Sequence, residues 1–222
     1  MKRAPRTLYI LLAVLCFAGL LKATLPQVGI GQWTSTSNLA QARLNSVSVL
    51  LADGRILIIG GENSNGPLAS AEIFGADGII SSAGLMNEAR SRHFVVMLSD
   101  GRVLVGGGTT TGGGATNSAE IYDPAANSWT QINPLTTARA SATAALLQDG
   151  RVLVAGGGTG DVYSPATDTW TATGPMVYPY ASAAAALLPN GQVLYAAGRQ
   201  IRYCGLYVCD DPLADAELYT PE

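Results

Sequence analysis

Past residue 45 the chain alternates short apolar runs with clusters of Gly, Asp, Asn, Ser and Pro. Runs of that length bounded by turn residues read as β-strands. Residues 94–98 form one such run. Asp100-Gly101 is then the two-residue kind of turn whose positive φ suits a hairpin, and residues 102–105 return antiparallel. That second strand ends in glycines, which weaken a strand but permit a bulge or a close backbone approach. After a polar loop, residues 119–122 read as a third strand and Asp123-Pro124 as the next turn, since proline presets φ for a turn position. Ser128-Trp129-Thr130 is the outer strand, with an indole large enough to cover the sheet edge. The unit is a four-stranded antiparallel sheet.

It recurs. Asp53-Gly54-Arg55-Ile56-Leu57-Ile58-Ile59-Gly60-Gly61, Asp100-Gly101-Arg102-Val103-Leu104-Val105-Gly106-Gly107-Gly108 and Asp149-Gly150-Arg151-Val152-Leu153-Val154-Ala155-Gly156-Gly157 are nearly the same. Asn190-Gly191-Gln192-Val193-Leu194-Tyr195-Ala196-Ala197-Gly198 is a weaker fourth copy, and the starts lie 47, 49 and 41 residues apart. Ten positions before each start stand Arg43, Arg90, Arg139 and then Tyr180. After the glycines come Ala71-Glu72-Ile73-Phe74, Ala119-Glu120-Ile121-Tyr122, the shortened Asp161-Val162-Tyr163, and Ala216-Glu217-Leu218-Tyr219. Self-similarity at this period signals a repeat architecture. A single twisted sheet exposes both faces, and stacking copies buries them.

The glycine pairs closing a hydrophobic strand (Gly60-Gly61, Gly107-Gly108, Gly156-Gly157), the aromatic after an acidic residue, and Trp129 and Trp170 downstream resemble Kelch repeats. The resemblance implies an all-β fold, a Kelch-type β-propeller of about four four-stranded blades. It covers residues 29–222, with repeats near 38–82, 85–132, 134–173 and 175–222. Three departures are local: Ile79 or Ile80 stands where the first repeat would carry Trp, the third repeat lacks most of its loop, and the fourth lacks the glycine pair. Gly31-Gln32-Trp33-Thr34 matches an outer strand, and the last residues follow a third strand. The count is sixteen strands if the amino-terminal one completes the last blade. Such a clasp closes propellers and removes free sheet edges. Two architectures compete: a closed four-bladed ring, and a partial arc of a larger propeller whose apolar end faces need a partner.

Composition narrows the function. Of 222 residues 48% are hydrophobic and 13% charged, which excludes a disordered chain. A net charge of −3 gives no general attraction for nucleic acid. Lys2, Arg3 and Arg6 precede residues 8–21, which carry no charge. That run is short for a spanning helix and suits the apolar part of a secretory signal, so residues 1–25 read as a signal peptide or an uncleaved membrane anchor. The expected address is secreted, periplasmic or extracellular, with membrane contact only through that segment.

Candidate chemistry is sparse. His93 is the sole histidine, and the Kelch resemblance gives a histidine there a packing and hydrogen-bonding role. Residues 203–209 and 216–221 are similar to a segment of galactose oxidase, a secreted copper-radical enzyme on a Kelch propeller whose site uses two histidines. One histidine cannot assemble that site, so neither catalytic residue nor metal nor cofactor is expected. Cys204 and Cys209, a C-x4-C pair in an exported chain, read as a disulfide; as metal ligands they lack companions. Arg43, Arg90 and Arg139 sit at the end of the array that carries the glycine loops, near Glu72, Glu120 and Asp161. One reading is a recurrent ion pair fixing each blade's register. The other is an arginine ring over the central channel holding an acidic or sugar ligand, incomplete at Tyr180. Tyr178, Tyr180, Tyr203 and Tyr207 offer stacking surface for a sugar, or packing for the long loop expected over residues 199–214. The sequence thus points to an exported module for protein or glycan binding, with a sugar-acting, mutarotase-like enzyme or a piece of a galactose-oxidase-like protein as the alternative.

Overall fold

The computed structural model describes residues 31, 33–204 and 207–222, and only the backbone of 200–204 and 207–210. The amino-terminal signal or anchor (1–25), the Cys204–Cys209 pairing and the rings of Tyr203 and Tyr207 lie outside the described residues. Among those described there is no helix, and residues 33–35 carry no strand.

Residues 36–222 form a compact unit of stacked antiparallel sheets. The first holds β1 (Val47–Leu50), β2 (Ile56–Ile59), β5 (Ser70–Phe74) and β6 (Ile80–Leu85), in that order, with a small ribbon of β3 (Glu62–Asn63) and β4 (Gly66–Pro67) in its glycine-end loop. The second holds β7 (Phe94–Met97), β8 (Val103–Gly106), β9 (Ala119–Asp123) and β10 (Ser128–Ile132). The third holds β11 (Thr143–Leu146), β12 (Val152–Gly156), β13 (Thr159–Ser164) and β14 (Thr169–Ala172). In the fourth, β15 (Ala184–Leu187), β16 (Val193–Ala196) and β19 (Ala216–Tyr219) make three strands. No fourth strand completes it among the described residues.

Each repeat folds as its pattern dictates, with two corrections. The Asp-Gly turns are not two-residue loops. Leu51 N–H bonds to Arg55 O and Gly54 N–H to Leu51 O, so five residues connect β1 to β2. The extra length lets Leu51, Leu98 and Leu147 turn back into the core while the Asp53 carboxylate accepts the Arg55 N–H across the turn. The second correction concerns residues 199–214, expected as a loop. They contain a hairpin of β17 (Arg199–Cys204) and β18 (Tyr207–Pro212), in whose register Cys204 faces Tyr207 and Cys209 faces Arg202. The third repeat's missing loop also has a simple form. Gly156 pairs with Thr159, leaving Gly157-Gly158 as a two-residue turn with both φ positive, the geometry glycine tolerates best.

Three apolar clusters hold the sheets together, one per junction. The first joins Leu57, Ile59 and Ile73 of one sheet to Val103, Val105 and Tyr122 of the next. The second joins Leu104 and Ile121 to Val152, Val154 and Tyr163, and the third joins Leu153 and Val162 to Val193 and Tyr195. The tryptophans add a latch. Trp129 stacks on Tyr122 with centroids 4.9 Å apart and donates its indole N–H to Ala83 O on the preceding sheet. Trp170 repeats this on Tyr163 and Asn133 O. In the first sheet Ile80 pairs with Phe74 at the place of that Trp–Tyr pair. The inner strands β1, β7, β11 and β15 pack in sequence. Among the described residues no apolar cluster joins the fourth sheet back to the first, and the sheets of residues 36–222 form an open arc.

Candidate functional site

At the internal junctions the faces of the blades serve packing, which leaves the two ends of each blade for recognition. At one end the five-residue turns carry short-range ion pairs such as Asp53–Arg55 at 2.7 Å, well exposed. Pairs of that kind contribute little stability. The other end gathers the glycines, the loops between second and third strands, and the crossovers between blades.

There each arginine closes its own sheet. Arg90 Nη1 donates to Gly107 O at 2.9 Å and Ser118 O at 3.1 Å, and Nη2 donates to Glu120 Oε1 at 2.8 Å. Arg43 makes the same bonds to Gly60 O, Ser70 O and Glu72, and Arg139 to Gly156 O, Thr159 O and Asp161. The guanidinium thus takes up the carbonyls where the second and third strands diverge. The carboxylate in turn anchors the incoming crossover: Glu120 accepts the N–H groups of Asn87 and Glu88, and Glu72 that of Ala40. Burial raises the Glu72 pKa, but the Ala40 N–H and Arg43 outweigh it and hold the carboxyl below its usual range. With Arg90 and Glu120 side chains only 0% and 1% exposed, this geometry is that of a register lock and presents no donor to solvent. Tyr180 fills the same place in the fourth repeat, fully buried, its ring 5.9 Å from that of Tyr178. Glu217 still holds the crossover there through the N–H groups of Val177 and Tyr178.

Two residues beyond each lock the chain does something the sequence reading overlooked. Asn45, Arg92, Ser141 and Ser182 are all left-handed, with φ between 51° and 57°. That conformation costs a non-glycine residue about 1–2 kcal/mol. It is offset by a backbone chain running from blade to blade: Arg92 N–H to Asn45 O, Ser141 N–H to Arg92 O, and Ser182 N–H to Ser141 O, at 2.8–3.1 Å. These four residues converge on a cavity of about 450 Å³, lined also by Thr143 and Arg199, at the axial mouth of the arc. The Arg92 side chain is 49% exposed and lies 3.6 Å from Glu62. Hydrogen bonds from Asn45 and Ser91 hold the Glu62 carboxyl below its usual range, so it is ionised. The mouth is a polar, partly cationic bowl built by all four repeats. A signal for it was available in the sequence, since its residues recur in phase with the arginines.

His93 closes the floor, buried as a packing residue, but the expected hydrogen-bonding role is not met, since neither ring nitrogen is hydrogen-bonded. Burial first, and the neighbouring Arg90 charge second, depress its pKa from 6.5 to about 3. The unfolded chain therefore binds this proton first, and the stability due to neutral His93 is complete above pH 6.5 and is lost as pH falls toward 3. Because it is the only histidine, the denaturation midpoint should already decline between about pH 6.5 and 5, with a slope approaching about 1.4 kcal/mol per pH unit. His93→Met should flatten that interval; an unchanged slope in the variant would contradict the assignment.

Among the described residues no group of three His, Cys, Asp or Glu side chains could hold a metal ion. A Kelch-motif family model matches residues 90–136, the second repeat. The solved structure of YjhT, a Kelch-type propeller, is similar over 79% of this chain with a TM-score of 0.59 and 15% identity. The match takes in 66% of the YjhT chain, about two thirds of its length. At that identity the likeness shows the fold alone. No curated protein matches this sequence. The fold is that of a Kelch-type β-propeller, and the matched motif spans the repeat in which lock, His93, glycines and Trp129 all occur.

Proposed function

We propose that this chain is an exported, non-catalytic Kelch module that binds an acidic glycan at its axial mouth. The observation that carries the reading is the polar bowl shared by Asn45, Arg92, Ser141 and Ser182. Sugars are recognised by amide, hydroxyl and guanidinium groups fixed on a rigid scaffold, and a carboxylate on the sugar would pair with Arg92. The nearby ionisable groups favour binding over proton transfer: Glu62 is engaged by Asn45, Ser91 and Arg92, and His93 is held neutral beneath the surface. Export rests on the basic start followed by the uncharged run at 8–21.

Thermal shift and calorimetry against sialylated and uronic-acid oligosaccharides test this. Arg92→Asn keeps a residue that tolerates the left-handed backbone, and it should weaken binding at least about tenfold with an unchanged melting temperature. A protein that binds none of these sugars would refute the reading. Turnover of a bound sugar would replace it with the mutarotase-like alternative.

A further inference from the structure

The two ends of the arc carry the two halves of one joint. At every internal junction the back face of one sheet, represented by Leu57, Leu104 and Leu153, meets the front face of the next, represented by Val103, Val152 and Val193. All of these are essentially inaccessible to solvent. The first sheet presents a front face that nothing covers among the described residues: Ile56 stands in the place of Val103, Phe74 in that of Tyr122, and Leu50, 63% exposed, in that of Met97. The fourth sheet presents the opposite half. Leu194 stands in the place of Leu57 and Leu104, and Leu218, 54% exposed, in that of Ile73 and Ile121, which are 3% and 5% exposed.

We infer that the fourth sheet of one chain docks on the first sheet of a second copy, head to tail. The occupant follows from the joint itself, because one chain carries both complementary halves and uses the same pairing three times internally. A head-to-tail contact is heterologous and leaves the far ends free, so two copies can join at both ends into a ring. Four blades from each chain make eight, within the range propellers adopt. The closed pair would cover both apolar faces at once.

Sedimentation of the full chain at tens of micromolar should give a species of twice the single-chain mass. Ile56→Glu or Leu50→Glu, on the front face, and Leu218→Glu, on the back face, should each give monomers when alone. Mixed in equal amounts, a front-face and a back-face variant should form a one-to-one dimer, since each keeps the half the other has lost. The double variant Ile56→Glu/Leu218→Glu should bind neither. Circular dichroism confirms that each variant is folded, and Leu50→Glu stands in should Ile56→Glu fail to fold. A wild-type chain that stays monomeric at these concentrations overturns the inference, as do single variants that self-associate like the wild type or a mixture that does not pair.

Discussion

Replacing Arg90 by Ala should destabilise the protein by about 3–5 kcal/mol, the loss expected when one partner of a buried ion pair is removed. The substitution strands more than Glu120. Where β8 and β9 part, the buried Gly107 O loses its guanidinium donor and Ser118 O is left with the Gly107 N–H alone. Glu120→Ala should cost a similar amount for a different reason, because the Asn87 and Glu88 N–H groups lose their acceptor. The two changes share the Arg90–Glu120 bond, so their effects should not add. A double-mutant cycle by urea denaturation should yield a coupling energy above about 1 kcal/mol. Additive losses would show that the pair is incidental to the lock. The same change at Arg55, whose partner Asp53 is exposed, should fall within about 0.5 kcal/mol of zero.

Gly107→Val should be at least as damaging. Gly107 has φ of 61°, a left-handed conformation that β-branched residues rarely adopt. A Cβ there would lie 2.5 Å from Arg139 O, well inside contact distance. That carbonyl accepts the Gly108 N–H at 2.8 Å, so the second and third blades are joined at this point by backbone alone. Relief of the clash must break that bond or lift the crossover that carries Arg139, which in turn loosens its pairing with Asp161. The expected loss is about 3 kcal/mol or more, combining backbone strain with overpacking. Gly112→Val, where a Cβ meets nothing within 4 Å and the loop is exposed, is the control. Equal melting temperatures for the two variants would refute the account.

Much of this was legible before any coordinates. The three full copies of the glycine-closed strand predicted the sheets, and the in-phase arginines and acidic residues offered the lock as one of two readings, because both depend on spacing within one repeat. The two tryptophans were likewise visible, with Ile79 or Ile80 as the first repeat's exception, but their stacking on Tyr122 and Tyr163 and their reach to the preceding sheet were not. The axial mouth was not seen, although Asn45, Arg92, Ser141 and Ser182 share one position in the repeat. An amide, a guanidinium and two hydroxyls share no one chemistry, and such a mixed set suggests nothing until the backbone turns each of them toward a common axis. Residues 199–214 misled for another reason. Their strands pair only with each other, outside the repeat's phase, so the repeat pattern could not assign them.

The sequence by itself determined that the chain builds four sheets of one kind, since strand periodicity, turn residues and a buried ion pair are local matters decided within some fifty residues. Whether those sheets close on one another, and which side chains meet around their axis, was decided only by the tertiary structure. Closure depends on the angle between successive sheets, which is fixed by how side chains at each junction interdigitate. No spacing along the chain records that angle. Among the described residues it leaves the first and fourth sheets each with an uncovered apolar face, and it brings one residue from every repeat to a single polar mouth.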